Sequence, residues 1–303
     1  MAEGKFIWRD GQLVPWDEAT VHVLTHALHY GSGAFEGIRA YDTPRGTAVF
    51  RLTDHMRRLR RSAEACLIPL DWSVAELSAA AKEVLAANEL DWGYLRPITF
   101  FETGGLGVLP RNVRVVTMIA AWQWGAYLGD EGVLHGIRVK VSPWRRLGRA
   151  QVPPAKATGP YLNAMLAKID AVRGGYDEAI MLSNEGTVSE GTGENIFLVE
   201  GGVVYTPPLT AGCLEGITRD TVMKLLREDG YRVVEEEIAP ERLYRADEIM
   251  LTGTAAEVTP VREIDDRPTG TGAPGPVTRR AQARYVDLVS GRPVGHDDWL
   301  EYL

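Results

Sequence analysis

Lys156 is the residue of this chain best placed for covalent chemistry. It lies in Val152-Pro-Pro-Ala-Lys-Ala-Thr-Gly-Pro160, where prolines restrict the backbone, alanines leave room beside the amine and no acidic residue is at hand. An amine in an apolar, poorly hydrated setting gives up its proton more readily, which a lysine needs to condense with a carbonyl as a Schiff base. The same residues also fit a proline-rich loop with an exposed lysine. The other five lysines read as solvated. Lys140 alternates with Ile137, Val139 and Val141, while Lys82, Lys168 and Lys224 sit among polar neighbours in amphipathic helices, and Lys5 is near the terminus.

Four further features could serve such a lysine. Val188-Ser-Glu-Gly-Thr-Gly-Glu-Asn-Ile-Phe197 sets Glu190 and Glu194 among glycines, where a carboxylate can approach a flat ring; an acidic turn in solvent has the same composition. Gly216-Ile217-Thr218-Arg219-Asp220 opens a helix, whose first N–H groups and Thr hydroxyl make an anion site. Thr252-Gly253-Thr254-Ala255-Ala256 offers more amides and hydroxyls after a strand. Arg58 belongs to the run Arg57–Arg61, where helical spacing turns one or two arginines inward beside His55 and Leu59. His22, His26 and His29 recur at helical spacing, but no HExxH is present, Tyr30-Gly-Ser-Gly33 breaks a helix and no carboxylate is near, so a metal is not expected.

Composition narrows the partners. A net charge of −8 and a pI near 5.4 give no basic excess for nucleic acid or anionic lipid. Two cysteines, Cys66 and Cys213, without a CxxC pair argue against a disulfide framework or structural zinc. No apolar run approaches membrane thickness and the amino-terminal residues lack a signal-peptide core, so the expected compartment is the cytoplasm.

The elements that must hold these residues suggest an α+β chain in two domains: 1–125, a linker over 126–135, and 136–303. Asp10–Gly11 marks a hairpin after Lys5–Arg9. Thr53 is a candidate cap for a helix to about Cys66, and Ser73 with Glu76 forms a capping box before a second. Tyr94–Glu102 and Val113–Trp122 have strand character, and the Gly-bearing, acidic Gly125–Gly132 suits a linker. Later come a strand at Gly136–Ser142, a helix at Tyr161–Arg173, a strand at Tyr176–Leu182 and a hairpin across Gly201–Gly202. A helix at Ile217–Asp229 is stopped by Gly230, strands follow at Tyr231–Ile238 and Glu248–Thr252, and a helix spans Pro276–Ser290.

In order along the chain, these residues resemble the fold-type IV pyridoxal-phosphate enzymes, and among them the branched-chain amino acid aminotransferases. His26-Ala-Leu-His-Tyr-Gly31, Phe35-Glu-Gly-Ile-Arg-Ala40, Phe50-Arg-Leu-Thr-Asp-His55 and Tyr94-Leu-Arg-Pro97 carry the resemblance, with Trp124–Gly129, Lys156, Ser189–Asn195, Gly216–Asp220 and Thr252–Glu257. It implies a D-amino acid aminotransferase-like fold, with a smaller N-terminal and a larger C-terminal domain and pyridoxal 5′-phosphate between them. It implies transfer of amino groups from Leu, Ile and Val to 2-oxoglutarate in two half-reactions, in a homodimer or an assembly of dimers. Lys156 would bear the cofactor as a Schiff base and shuttle the proton. Glu190 would pair with the pyridine nitrogen, Tyr161 with the ring hydroxyl, and Glu194 and Asn195 would support the cofactor face. Arg58, Ile217, Thr218 and Thr254 would hold the phosphate, and Gly216 and Gly253 would also bind the cofactor. Phe35, Gly37, Arg39, Tyr94, Arg96 and Tyr127 would line the substrate pocket, Thr254 and Ala255 would receive the substrate carboxylate, and Tyr30 would come from the partner subunit.

Tyr94-Leu-Arg-Pro97 favours branched-chain substrates over the D-amino acid, (R)-amine and aminodeoxychorismate branches of the superfamily. Two places depart from the family pattern. Thr158-Gly-Pro-Tyr161 stands where many relatives place Asn before the Tyr, and Gly107-Val-Leu-Pro110 where Asn commonly precedes Pro. Both put the substrate range in question.

Overall fold

A computed structural model describes residues 4–125 and 127–303; Ala126, the first residue of the expected linker, lies outside the described residues. The chain forms two compact units. The first takes the described residues to Gly125 together with Pro153–Tyr161 and Val289–Leu303, and the second takes the described part of 126–152 and 162–288. The expected single boundary, with 136–303 as one domain, is thereby corrected. The reason is backbone pairing. The Phe35 N–H donates to the Lys156 carbonyl (3.0 Å), the Thr158 N–H donates to the Gly33 carbonyl (2.8 Å), and Leu300–Tyr302 pairs antiparallel with Gly46–Phe50. Nor is 126–135 simply a linker, because Asp130–His135 is helical.

In the first unit the sheet runs, in spatial order, Leu300–Tyr302, Gly46–Phe50, Ile38–Thr43, Gly93–Phe101, Val115–Trp122, Phe6–Arg9 and Gln12–Pro15, and Gly33–Phe35 also pairs with Gly93–Phe101. The first hairpin turns at Asp10 (φ 45°) and Gly11 (φ 94°), the left-handed conformations that such a two-residue turn requires. Leu52–Ala65 and Val74–Ala87 are the expected helices. They contribute Leu52, Met56, Leu59, Leu77, Ala81, Val84 and Leu85 to one core with Ile38, Val49, Leu95 and Ile119. Ser73 and Glu76 form the capping box. Thr53 does not cap its helix: the helix starts at Leu52, and the Thr53 N–H and hydroxyl donate to Glu301 at 2.6 and 3.0 Å. A carboxylate there also suits the positive end of the helix dipole.

The second unit is built on a mixed sheet ordered Val188–Glu190, Glu178–Leu182, Ile137–Arg145, Glu257–Ile264, Glu248–Gly253, Asn195–Glu200, Val203–Thr206 and Val233–Glu235, with Arg267–Pro268 on Glu257–Ile264. Glu178–Leu182 and Asn195–Val199 are buried throughout, the pattern of strands covered on both faces. Tyr161–Arg173, Ile217–Glu228 and Pro276–Val289 are helices. Glu248 reaches from its strand to accept the N–H groups of Val277 and Thr278 at 3.0 and 2.8 Å, capping the helix from a distant part of the chain. Among the described residues no helix is long and apolar enough to cross a membrane.

Candidate active site

In the first unit, the lysine segment is tied down on both sides of Lys156. The Lys156 N–H donates to Ser62 Oγ (3.0 Å), and Ala157 bridges to Ala34. Thr158 adds a further tie: its hydroxyl donates to the Gly31 carbonyl at 2.7 Å. Gly31 itself has φ 61°, and a Cβ there would lie 2.5 Å from Gly159 Cα, so the two glycines allow the chains to touch.

Lys156 Nζ donates to Tyr161 Oη at 2.9 Å and stands 5.0 Å from the centre of the Phe35 ring. The Arg96 guanidinium lies 5.0 Å from the same ring, and its Nη2 donates to Tyr94 Oη (3.2 Å), while Arg96 Nε is buried without a hydrogen-bond partner. Gly37 leaves room beside them, because a Cβ would fall 1.8 Å from Tyr94 Oη and the ring would have to shift. Phe35, Gly37, Tyr94, Arg96, Lys156 and Tyr161 therefore come together. Arg39 donates to the carbonyls of Trp124 (3.2 Å) and Gly125 (2.9 Å), tying that segment to its strand. Tyr30 is 44% exposed, with its hydroxyl on the Leu106 carbonyl. His26 lies within hydrogen-bond distance of Ser32 Oγ and the Gly107 carbonyl, a satisfied buried histidine.

Arg58 is buried, and sequence reasoning missed what holds it there. Glu36, wholly buried, accepts from Arg58 Nε (2.7 Å) and Nη2 (2.8 Å) and lies 2.7 Å from His55 Nδ1. Burial alone would push the Glu36 carboxyl up, but Arg58 and His55 outweigh it and hold the group well below the usual carboxylate range. Burial pushes the His55 imidazole down, against the attraction of Glu36. Two signals were present: a charged residue between Phe35 and Gly37 in a mostly apolar stretch, and His55 with Arg58 at i,i+3 on one helix face.

In the second unit, Glu190 is 4% exposed. Its Oε2 accepts from Asn195 Nδ2 (3.1 Å) and the Leu214 N–H (3.0 Å). Arg146 Nε stands 2.8 Å from Oε1 as an ion pair, yet without hydrogen-bond alignment, so Oε1 remains a buried acceptor short of a donor. Nothing in the local sequence points to Arg146. Gly216 begins the Ile217–Glu228 helix with no side chain capping it, and a Cβ there would meet Asn195 Oδ1 at 1.9 Å. Thr218 is buried in its first turn. Thr254 and Ala255 form the turn between Glu248–Gly253 and Glu257–Ile264.

Glu194 accepts from the Gly193 N–H at 3.1 Å. Burial, with Glu178 adding repulsion, pushes its carboxyl up to about 8. Glu178, also wholly buried, takes Lys168 Nζ at 2.6 Å and the Thr192 hydroxyl at 2.7 Å. Lys168 is thus a partly buried ion-pair partner rather than a solvated residue, and it faces the Tyr127 ring at 5.3 Å. The pairing brings together residues on a helix and a strand, which the helical pattern around Lys168 does not reveal.

The family described as Amino-transferase class IV matches residues 33–264. The branched-chain-amino-acid aminotransferase of Pseudomonas aeruginosa is 49% identical over 97% of this chain and 95% of its own length. That of Escherichia coli is 45% identical over 98% and 96%. A crystal structure of the E. coli branched-chain amino acid aminotransferase superposes with a TM-score of 0.97 at 44% identity, covering 99% of each chain. The branched-chain amino acid aminotransferase of Thermobaculum terrenum, in its PLP-bound holo form, gives 0.91 at 35% identity, covering 98% of each chain. The chain belongs to the class IV aminotransferase family, and its fold is fold type IV.

The Glu194 carboxyl titrates higher in the folded protein than its ordinary value of 4.5. Its contribution to stability is therefore complete below about pH 4.5 and is lost as pH rises through about 8. In Glu194→Gln this loss should vanish, so urea midpoints between about pH 5 and 9 should fall less steeply than in the unaltered protein. Parallel curves would show that Glu194 is ionised throughout.

Proposed function

We propose that this chain is a pyridoxal 5′-phosphate-dependent transaminase that moves amino groups from branched-chain L-amino acids (Leu, Ile, Val) to 2-oxoglutarate, giving the 2-oxo acids and L-glutamate. The observation that carries it is Glu190 Oε1, a buried carboxylate oxygen lacking one hydrogen-bond donor, which a protonated pyridine nitrogen would supply. In the first unit Lys156 would bind the cofactor carbonyl, Tyr161 its ring hydroxyl and Arg58 its phosphate. In the second, Glu190 would take the ring nitrogen, and Gly216, Ile217, Thr218, Gly253 and Thr254 would offer donors for the phosphate. Relatives of 45–49% identity that bear the branched-chain name support the substrate class.

When bound, the cofactor supplies an electron-withdrawing ring that accepts the electron pair left as the substrate Cα–H bond breaks. Lys156 Nζ takes the Cα proton and returns it, and Tyr161 Oη orients that amine by accepting its hydrogen bond. Asn195 and the Leu214 N–H fix Glu190 Oε2, so that Oε1 keeps its direction. The Phe35 ring offers an apolar wall, and Arg96, fixed against Tyr94, offers a cation for the distal carboxylate of glutamate.

The purified protein should show a yellow band that bleaches with L-leucine and returns with 2-oxoglutarate, and Lys156→Ala should abolish the cycle; no response to L-leucine would refute the substrate class. For Arg96→Ala, kcat/KM should fall about tenfold more for glutamate than for leucine, as expected for loss of a charge-assisted hydrogen bond. Equal losses would remove Arg96 from carboxylate recognition. A homodimer is part of the same proposal, because Val23, Leu28 and Val108 are 70%, 63% and 81% exposed beside Tyr30 and Leu106 in the first unit's sequence and contacts, more apolar side chain than water favours. Sedimentation should give a dimer that Leu28→Glu weakens, and a monomeric starting protein would overturn it.

A further inference from the structure

We propose that Glu36 is a positioning residue for the cofactor phosphate: it aims Arg58, and His55 braces it. The inference rests on Arg58 being a phosphate ligand, as read above. Glu36 lies wholly out of water, so its charge persists only with partners. Its two oxygens take one edge of the guanidinium, Nε at 2.7 Å and Nη2 at 2.8 Å. Such a fork sets the plane of the guanidinium as well as its position.

The carboxylate is itself held. His55, one turn before Arg58 on the Leu52–Ala65 helix, has Nδ1 2.7 Å from Oε2. The Glu36 N–H donates to the Pro97 carbonyl at 2.8 Å, pinning its backbone to the strand that carries Tyr94 and Arg96. Because Glu36 balances the charge of Arg58, what it adds to phosphate recognition is direction rather than charge. Its removal should weaken binding even though it leaves Arg58 more nakedly cationic.

The test compares the binding of pyridoxal 5′-phosphate and of pyridoxal, which lacks the phosphate, to the cofactor-stripped full-length protein by fluorescence quenching. Glu36→Gln should weaken pyridoxal 5′-phosphate about tenfold or more while leaving pyridoxal unchanged. In an Arg58→Ala background it should add nothing, because the two residues act as one unit. Glu36→Asp, which keeps the charge, should recover part of the loss. If Arg58→Ala leaves the ratio of the two affinities unchanged, the phosphate reading of Arg58 fails. If Arg58→Ala lowers that ratio but Glu36→Gln does not, or weakens both ligands equally, the positioning role is overturned and Glu36 is structural only. Should Glu36→Gln not fold, His55→Leu removes the brace alone; a several-fold loss confined to the phosphorylated ligand supports the inference, and an unchanged ratio refutes it.

Discussion

A carboxylate taken out of water must be given donors and a countercharge, and much of this molecule is arranged around that requirement. In the first unit Glu36 is wholly buried and met by Arg58 and His55. In the second, Glu178 is wholly buried and met by Lys168, Thr192 and its neighbour's N–H. Glu190 is buried with Asn195, the Leu214 N–H and Arg146 around it, and one of its oxygens remains short of a donor. The contrast among the three is informative. Both oxygens of Glu36 and of Glu178 have partners, whereas Oε1 of Glu190 has an ion-pair neighbour but no hydrogen bond.

The same constraint governs the backbone. Lys156 belongs to a segment that returns to the first unit, where the amide of Phe35, the hydroxyl of Ser62 and the carbonyls of Gly31 and Gly33 bind it on both sides. A reactive amine on a loosely held loop would lose precision with every fluctuation. Here the prolines restrict the chain and these hydrogen bonds place it. Thr158, in the segment that departs from the family pattern before Tyr161, takes part in the anchoring, and Lys156 and Tyr161 are in direct contact.

Much of the α+β organisation is legible from local signals. The Asp10–Gly11 turn, the Ser73 capping box and the helix stop at Gly230 depend on residues close in sequence, whose preferences act before any tertiary contact forms. Elements that rely on distant partners are not legible in this way. The helix after Arg51 is capped by Glu301, which accepts from the Thr53 N–H, and the expected Tyr231–Ile238 strand shortens to Val233–Glu235, paired parallel to Val203–Thr206. Periodicity predicts which face is apolar, but it is silent about where neighbouring strands end.

From sequence alone came the chemical parts: a lysine among prolines and alanines, acids among glycines, a helix start for an anion, and the family pattern that orders them. Tertiary structure alone decided which charges meet. It gave Arg58 to Glu36, Arg146 to Glu190 and Lys168 to Glu178, and it set Arg39 against the carbonyls of Trp124 and Gly125. The physical reason is that residue type and spacing determine what a side chain can do. Whether a buried charge has a partner depends on groups far away in sequence, as in the Arg146–Glu190 pair, brought together only by the packed fold.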